Sequence, residues 1–231
     1  MNLVKEPEKK RDEINRQVAK SFLSLIHAKE DACIGLPTGR TPAGMYRLIR
    51  EMASENTVDF SNTNFFGLDE YIDTDNAHKF KAYLEKNLYK PLAIDAKNCF
   101  NPLEINDYDS LIEEKGGLDL TILGLGINGH IAFNEPETIE LSWTHCVNLT
   151  KSTKQANQEF FKNGAPVPTR AVTMGLQTLL KSRKIILLVF GSKKRNILEK
   201  AMKGEITAEI PASYLKLHKN LEIHTDFDFD G

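Results

Sequence analysis

The sequence predicts an α/β fold, a three-layer α/β/α sandwich around a mainly parallel sheet. Short apolar runs alternate along the chain with segments whose apolar residues recur at helical spacing. Several runs are apolar almost throughout, which is typical of strands buried on both faces of a parallel sheet. Repeated βα units of this kind place helices on both sides of a Rossmann-like sheet. The 231 residues are expected to form one domain, 1–231.

Composition excludes several classes of protein. Thirty basic and 32 acidic residues give a formal charge of −2, so no basic field is available for nucleic acid. The start of the chain is polar and the longest strongly apolar run, 185–190, is too short for a membrane span. Cys33, Cys99 and Cys146 are odd in number and lack metal-ligand spacing. We therefore expect a cytoplasmic protein without a metal site, bound to neither nucleic acid nor membrane.

The first third of the chain reads as helix, strand, helix and strand. One apolar stripe runs through 8–29 and predicts an amphipathic helix. Its members are Ile14, Val18, Phe22, Leu25 and Ile26. A strand is predicted at 32–36, a helix at 43–52 and a second strand at 63–68.

The remaining elements continue the alternation. Helices are predicted to end near Lys90 and Lys115, and the strand 118–123 follows. Later strands are predicted at 144–149, 170–174, 184–190 and 221–225, and the helices between them at 152–162, up to Leu180, after Phe190 and in the string IPASYLKLH. Ser152 or Thr153 is expected to cap the helix 152–162. The acidic and aromatic tail after Thr225 is expected to be an edge strand or a loose end.

Chemistry is expected where the strand 118–123 ends, because ligands of open α/β sheets bind at the carboxyl ends of strands. The string GLGINGHIAFNEP follows there, and its glycines allow the backbone to turn and to approach a ligand closely. Four residues in it can move a proton or bind a hydroxyl: Asn128, His130, Asn134 and Glu135. Taken alone, His130 is equally consistent with a histidine that ties the loop to backbone carbonyls.

Two further strand ends carry polar residues. The string PTGRTP links a strand to a helix, and the hydroxyls of Thr38 and Thr41 with the helix N-terminus could hold an anion. PTG alone is more simply a strand–helix turn. Asp69 directly follows the strand 63–68 and is a candidate base, although a lone aspartate more often caps a helix or a turn.

Together these strings resemble the glucosamine-6-phosphate deaminase/isomerase family. GLGxNGHIAFNEP matches its signature, GLPTGxTP its phosphate loop, LDEY its base motif and GSKK its phosphate-binding lysine, here Lys194. The resemblance implies an enzyme that opens a hexosamine 6-phosphate ring, isomerises it to the ketose and releases ammonia. No cofactor or metal is implied, and the only partner implied is the small-molecule sugar phosphate.

The resemblance also implies residue roles. Asp69 would move the proton from C2 to C1, and His130 would transfer a proton at the ring oxygen. Glu135 would support the imidazolium of His130, and Asn128 would orient it. The phosphate would be bound by residues of the PTGRTP loop and the GSKK helix start: Thr38, Gly39, Arg40, Thr41 and Lys194.

The chain departs from the family in the lid, expected at about 149–172. Glu159 stands where the family carries a phosphate-binding arginine, and an acid there would repel a phosphate. We therefore expect Glu159 to point away from the phosphate. The family segment His-Pro-x-Ser-Tyr reads NAHKFKAY here and keeps only His78.

Other departures concern regulation and substrate. Thr138, Ile139, His145 and Val147 replace the residues of an allosteric phosphate site that some relatives carry, so a monomer or small homo-oligomer is expected. GGLDLxxLGLGxNGH and IPASYLKLH resemble the galactosamine-6-phosphate branch. Galactosamine 6-phosphate is therefore the favoured substrate and glucosamine 6-phosphate a close second.

Two alternatives stay open. One is a 6-phosphogluconolactonase-like hydrolase, against which Glu135 argues because that relative usually lacks it. The other is a non-catalytic sugar-phosphate sensor, which the retained Asp69, His130 and Glu135 disfavour.

Overall fold

A six-stranded parallel sheet forms the centre of the computed structural model, which describes residues 6–74, 79–136, 141–161 and 165–229. Across the sheet the strands are β4 (Cys99–Phe100), β2 (Asn64–Gly67), β1 (Cys33–Leu36), β5 (Leu120–Gly124), β8 (Ile185–Val189) and β9 (Leu221–Thr225). Every neighbouring pair in this sheet is parallel. The predicted α/β class and the parallel sheet are therefore confirmed.

A second, antiparallel sheet lies beside the first. Its strands are β3 (Asp69–Tyr71), β7 (Arg170–Thr173) and β6 (His145–Asn148), with β7 in the middle. Asp69 pairs with Thr173, and Thr173 pairs with His145 on its other side. The sequence did not predict β3, because three residues are too few to show a period-two pattern.

Seven α-helices and four 3₁₀ turns connect the strands in the described residues. The helices are α1 (Glu6–Ala28), α2 (Ala43–Glu55), α3 (Phe80–Leu84), α4 (Tyr108–Glu114), α5 (Lys151–Asn157), α6 (Leu176–Leu180) and α7 (Arg195–Lys203). The 3₁₀ turns are Ala96–Asn98, Gln158–Phe160, Ser192–Lys194 and Pro211–Leu217. A π-helical stretch, Glu85–Tyr89, continues α3. The helix predicted at 152–162 is thus shorter, and IPASYLKLH forms a 3₁₀ helix.

The two faces of the parallel sheet hold two separate apolar cores. Along β8, Ile186 and Leu188 pack with the buried faces of α1 and α2, whereas Ile185, Leu187 and Val189 pack with α4, α6 and α7. Successive side chains of a strand point to opposite faces, so an unbroken apolar strand supplies both cores. The helices on the two faces complete the three predicted layers.

Asp119 fastens the amino ends of the central strands. Its buried carboxylate accepts hydrogen bonds from the Cys33 backbone N–H at 2.8 Å, Lys29 Nζ at 2.7 Å and Arg183 Nη1 at 2.7 Å. These three donors lie at the start of β1, beyond the end of α1 and just before β8. The one carboxylate therefore stabilises the register of the strands whose opposite ends carry the polar loops.

The C-terminal tail differs from its predicted state. The buried Asp226 carboxylate accepts from Arg11 Nε and from the Gly191 backbone N–H, each at 2.7 Å, and Phe227 packs in the core with α7. Residues 226–229, the described part of the tail, are therefore neither an edge strand nor a loose end, because Asp226 and Phe227 hold them against the protein. Gly191 has φ +94°, a conformation that favours glycine.

Some sequence predictions fall outside the described residues: His78, Thr138, Ile139 and residues 162–164 of the expected lid. Within the ranges given above, none of the helices combines the length and hydropathy that a membrane crossing would need.

Asp119→Ala should lower the free energy of unfolding by about 2–4 kcal/mol, because the Cys33 N–H loses its acceptor in a buried place. Urea denaturation measures the change. Asp12→Ala, which removes an exposed partner of Arg47, should stay within about 0.5 kcal/mol of the parent protein. Equal effects of the two substitutions would contradict the role given to Asp119.

Candidate active site

The loop between β1 and α2, residues 37–41, is held by two tyrosine hydroxyls. Tyr46 Oη donates to the carbonyl of Pro37 and Tyr83 Oη to the carbonyl of Gly39, each at 2.6 Å. Gly39 has φ +90°, so glycine suits this turn. No side chain caps the N-terminus of α2, which begins just after the loop. A helix start with its dipole uncapped favours an anion.

Lys194 lies in the 3₁₀ turn Ser192–Lys194 that follows β8, and β8 is separated from β1 by β5. Its Nζ donates to the carbonyl of Leu125, just after β5, at 2.6 Å. Burial and the positive charge of Arg40 lower the pKa of Lys194, and Asp226 opposes them. Arg40 therefore lies close enough for the two cations to repel each other. The carboxyl ends of β1, β5 and β8 thus bring the predicted phosphate ligands to one place.

The other predicted phosphate ligands are residues of the loop 37–41 itself. Thr38, Gly39 and Thr41 are half-buried, and Arg40 is exposed.

His130 and Glu135 form a pair in the turn after β5. His130 Nδ1 lies 3.6 Å from Glu135 Oε2, and the Glu135 side chain is 1% exposed. Asn128 connects to both residues: its Nδ2 donates to Glu135 Oε2 at 2.8 Å, and its Oδ1 accepts from the His130 backbone N–H at 3.3 Å. The predicted group of three is therefore assembled, and Asn128 orients the pair without adding charge.

Glu135 is held as a carboxylate. Burial alone would raise its pKa, but the hydrogen bond and charge of His130 and the donors Thr153 and Asn128 outweigh it and lower the pKa to about 2. A carboxylate at Nδ1 favours the imidazole tautomer that carries its hydrogen on that nitrogen. The other ring nitrogen is then available for proton transfer.

Two backbone features shape this turn. A Cβ on Gly126 would lie 2.4 Å from Cε1 of His130, so only glycine allows the imidazole to lie against the chain there. Ala132 has φ +48°, which is uncommon for a residue with a side chain. The amide of Asn134 is buried and donates to the carbonyls of Ile131 and Met174, so it fastens the turn to the end of β7.

Asp69 is buried at the start of β3. Burial and the adjacent Glu70 raise the pKa of Asp69 to about 8. Its strand partner Thr173 also accepts a hydrogen bond from the Phe133 backbone N–H at 3.0 Å. Asp69 is therefore fixed, through one residue of β7, to the turn that carries His130. A carboxyl group with a pKa near neutrality is suited to proton transfer.

Glu70 has a role that the sequence did not reveal. Its carboxylate accepts from the backbone N–H groups of Tyr71, Phe80 and Lys81, each at 2.9 Å, and from Asn101 Nδ2 at 2.8 Å. Glu70 therefore anchors the start of α3, the helix whose Tyr83 donates to the loop 37–41. The sequence DEY offered no signal for this, because three of the four donors lie ten or more residues away.

Thr150, rather than Ser152 or Thr153, caps α5. Thr150 Oγ1 accepts a hydrogen bond from the Thr153 backbone N–H at 3.3 Å. The same hydroxyl donates a hydrogen bond to Glu135 Oε2 at 3.1 Å. Thr153 Oγ1 lies 3.3 Å from His130 Nδ1. The start of α5 is thus bonded to both members of the His130–Glu135 pair, and neither threonine was predicted as a site residue.

Glu159 reaches the phosphate loop, contrary to the expectation that it points away from the phosphate. Its two carboxylate oxygens contact Arg40 Nη1 at 3.0 Å and Nη2 at 2.7 Å. Arg40, within the loop itself, supplies the positive charge with which the acid pairs.

No group of three or more His, Cys, Asp or Glu side chains in the described ranges converges as a metal site would. The expectation that the protein uses no metal or cofactor stays a prediction.

Comparisons with known proteins agree on one family. The sequence model of the family described as glucosamine-6-phosphate isomerases/6-phosphogluconolactonase matches residues 5–224. A glucosamine-6-phosphate deaminase of Clostridium beijerinckii is 39% identical over 225 residues, 93% of each chain. One from Clostridium botulinum (strain Kyoto) is 40% identical, covering 93% of this chain and 92% of its own.

Solved structures give the same result. A structure described as a monomeric glucosamine-6-phosphate deaminase, missing link of the NagB superfamily, has a TM-score of 0.88 at 34% identity, covering 93% of both chains. A 6-phosphogluconolactonase from Thermotoga maritima has a TM-score of 0.71 at 19% identity, covering 93% of this chain and 94% of its own. The second likeness concerns the fold alone.

Thr150→Val should lower the free energy of unfolding by about 1 kcal/mol, because the variant loses the cap of α5 and a donor to Glu135. Thr150→Ser keeps the hydroxyl and should retain most of the stability. Thr57→Val, at an exposed threonine, controls for the change of side chain. Urea denaturation of the three variants measures this, and a Thr150→Val protein as stable as Thr57→Val would contradict the assignment.

Proposed function

The chain belongs to the family of glucosamine-6-phosphate isomerases and 6-phosphogluconolactonases, and we propose that it is a hexosamine-6-phosphate isomerase and deaminase. It converts the amino sugar phosphate to the ketohexose 6-phosphate and ammonia. The observation that carries this proposal is the buried Glu135 side chain, whose Oε2 lies 3.6 Å from His130 Nδ1. Relatives that act as lactonases usually lack that glutamate, so its retention here favours the amino sugar reaction.

The phosphate group binds where three strands end. Lys194 and Arg40 supply two positive charges, and the loop of Thr38, Gly39 and Thr41 leads into the uncapped start of α2. A phosphate monoester carries close to two negative charges at neutral pH, which this pair of cations matches. These contacts fix the sugar at the end remote from the reacting carbons.

Ring opening uses His130. The ring oxygen gains a proton as the C1–O5 bond breaks, and the C1 hydroxyl loses one, which yields the open-chain aldehyde. Glu135 at Nδ1 stabilises the imidazolium whenever the ring is protonated, in the manner of a supported base. Asn128 keeps the carboxylate and the backbone of His130 in register.

Isomerisation uses Asp69. Its carboxylate removes the proton from C2 of the open-chain amino aldehyde while the C1 oxygen takes up a proton, and the resulting enolamine is then protonated at C1. Water then adds to the imine carbon C2 and ammonia leaves, so the ketose remains. No electron is gained or lost overall, so we propose that neither an organic cofactor nor a metal is needed.

We propose galactosamine 6-phosphate as the better substrate and glucosamine 6-phosphate as the close second. The two epimers differ only at C4, so selectivity must come from groups near C4 or from how the lid and α3 seat the sugar. Glu159 and the lysine-bearing segment before Tyr83 are where the chain departs from the glucosamine pattern. The relatives are named as glucosamine-6-phosphate deaminases, which favours the glucosamine epimer. The preference for galactosamine 6-phosphate therefore rests on these two departures alone.

Localisation and assembly are proposed with the function. A cytoplasmic protein is consistent with the amino sugar phosphate as substrate. A monomer or a small homo-oligomer is consistent with the structural relative described as monomeric.

Side-by-side assays of ammonia release from the two epimers test the function. We expect activity on both and a higher kcat/KM for galactosamine 6-phosphate. A clear preference for glucosamine 6-phosphate would overturn the proposed choice of epimer, and the proposed reaction would stand. Release of 6-phosphogluconate from its lactone without any ammonia from either epimer would establish the lactonase alternative. Sugar phosphate binding with no turnover would establish the sensor.

Asp69→Asn should reduce turnover by about two to four decades, the worth of one positioned acid–base group. In the parent enzyme kcat/KM should rise with pH towards about 8, because Asp69 must be ionised and burial raises its pKa to about 8. A profile that stays flat across that range would remove Asp69 from the role of base.

The same substitution should stabilise the fold at high pH. The folded pKa of Asp69, about 8, lies above its ordinary value of 3.8, so the fold disfavours the ionised form. This cost is absent below pH 3.8 and grows until pH is about 8. Asp69→Asn should therefore be more stable than the parent by at least about 1 kcal/mol near pH 8 and equal to it near pH 4. Thermal unfolding at the two pH values measures the difference.

Lys194→Ala should raise KM several-fold or more and change kcat little, because a phosphate contact far from C1 and C2 is mostly uniform binding. Lys193→Ala, at the adjacent exposed lysine, is the matched control and should leave KM unchanged. If both substitutions leave KM unchanged, the phosphate is not bound at Lys194.

A further inference from the structure

The segment 150–161, which we call the strap, contacts each functional part of the site. Three of its attachments span the site: Thr150 with Glu135, Asn157 with Tyr71 beside Asp69, and Glu159 with Arg40. The first two join neutral donors to the site. Only the last joins the strap to the phosphate loop by charge.

The Arg40–Glu159 pair is bidentate. Nη1 and Nη2 of Arg40 each contact a different oxygen of Glu159, at 3.0 Å and 2.7 Å. A phosphate binds arginine most strongly with the same two parallel N–H groups. The carboxylate of Glu159 thus occupies the edge of the guanidinium that suits a phosphate.

The charges around Arg40 favour an exchange of anions. Arg40 and Lys194 repel each other, and Glu159 supplies one negative charge to this pair. A phosphate monoester dianion would compensate both cations. If Glu159 stayed in place, its carboxylate would face that dianion across the same guanidinium and repel it.

The pair is also weak enough to be displaced. The side chains of Arg40 and Glu159 are 74% and 47% exposed. Exposed pairs of this kind change an equilibrium by at most about five-fold. A dianion that also binds Lys194 outcompetes such a partner.

We propose that Glu159 is a built-in competitor of the substrate phosphate: it binds Arg40 in the empty enzyme and gives the guanidinium up when the phosphate arrives. The proposal rests on the phosphate site of the proposed function. Its consequence is that phosphate binding releases the far end of the strap, while Thr150 and Thr153 keep the near end on the His130–Glu135 pair. Glu159 therefore discriminates against anions that carry one charge, because they gain less from the exchange.

Direct binding of inorganic phosphate tests the exchange without any turnover. Isothermal titration at a pH where phosphate is dianionic should show about two- to five-fold tighter binding to Glu159→Gln than to the parent protein. Arg40→Gln should bind phosphate more weakly. In the Arg40→Gln background, Glu159→Gln should have no further effect, since its partner is gone.

Two controls isolate the charge at position 159. Glu159→Asp keeps the charge and should bind phosphate within about two-fold of the parent. Glu113→Gln removes the acid of another exposed pair, with Lys181, and should leave phosphate binding unchanged. A circular dichroism spectrum confirms that each variant is folded.

Hydrogen exchange reports on the strap itself. In the parent protein, inorganic phosphate should raise amide exchange in a peptide covering 158–161. In Glu159→Gln that exchange should already be high without phosphate.

The outcomes separate the exchange from the phosphate site. If Lys194→Ala weakens phosphate binding but Glu159→Gln binds equally or more weakly than the parent, the exchange is wrong and the phosphate site stands. Phosphate that protects 158–161 would also overturn the exchange, because Glu159 would then remain paired. Phosphate binding that is absent, or indifferent to Lys194→Ala, would overturn the phosphate site and the exchange with it.

Discussion

Parallel pairing of β1, β5 and β8 is the constraint on which the rest of the site depends. It places three consecutive strand ends at one edge of the sheet, and the loops after them carry Arg40, His130 and Lys194. Asp119 holds the opposite ends of these strands with a buried carboxylate. The buried carboxylate of Asp119 at the amino ends of the strands therefore supports the position of the loops that follow their carboxyl ends.

The buried carboxylate of Glu135 determines how the residues around His130 are arranged. A carboxylate that is 1% exposed requires donors on all sides, because an unpaired buried charge is costly. Asn128 and His130 come from its own turn, and Thr150 comes from the start of α5. The requirement to satisfy one carboxylate thus fixes both the orientation of the imidazole and the position of the strap. The geometry of the His130–Glu135 pair and the position of the strap share one cause.

The adjacent acids Asp69 and Glu70 carry the same functional group but differ in their surroundings and therefore in their roles. Glu70 accepts four hydrogen bonds and anchors α3, whereas burial and the charge of Glu70 leave Asp69 with its pKa raised to about 8. Asp69 thus keeps its raised pKa at a cost in stability, which is typical of functional sites. The sequence DEY distinguishes the two only through resemblance to a family.

The sequence by itself determined the fold class, most strands of the parallel sheet and the residues of the His130 turn, because apolar periodicity and glycine-rich turns are local signals. It predicted neither β3, the cap of α5 nor the docking of Asp226, and it placed Glu159 away from the loop where it pairs with Arg40. Arg40 and Glu159 are 119 residues apart, and Asp226 and Gly191 are 35 apart. Only the tertiary structure decided these pairings, because local sequence patterns carry no information on which distant polar groups the chain brings into contact.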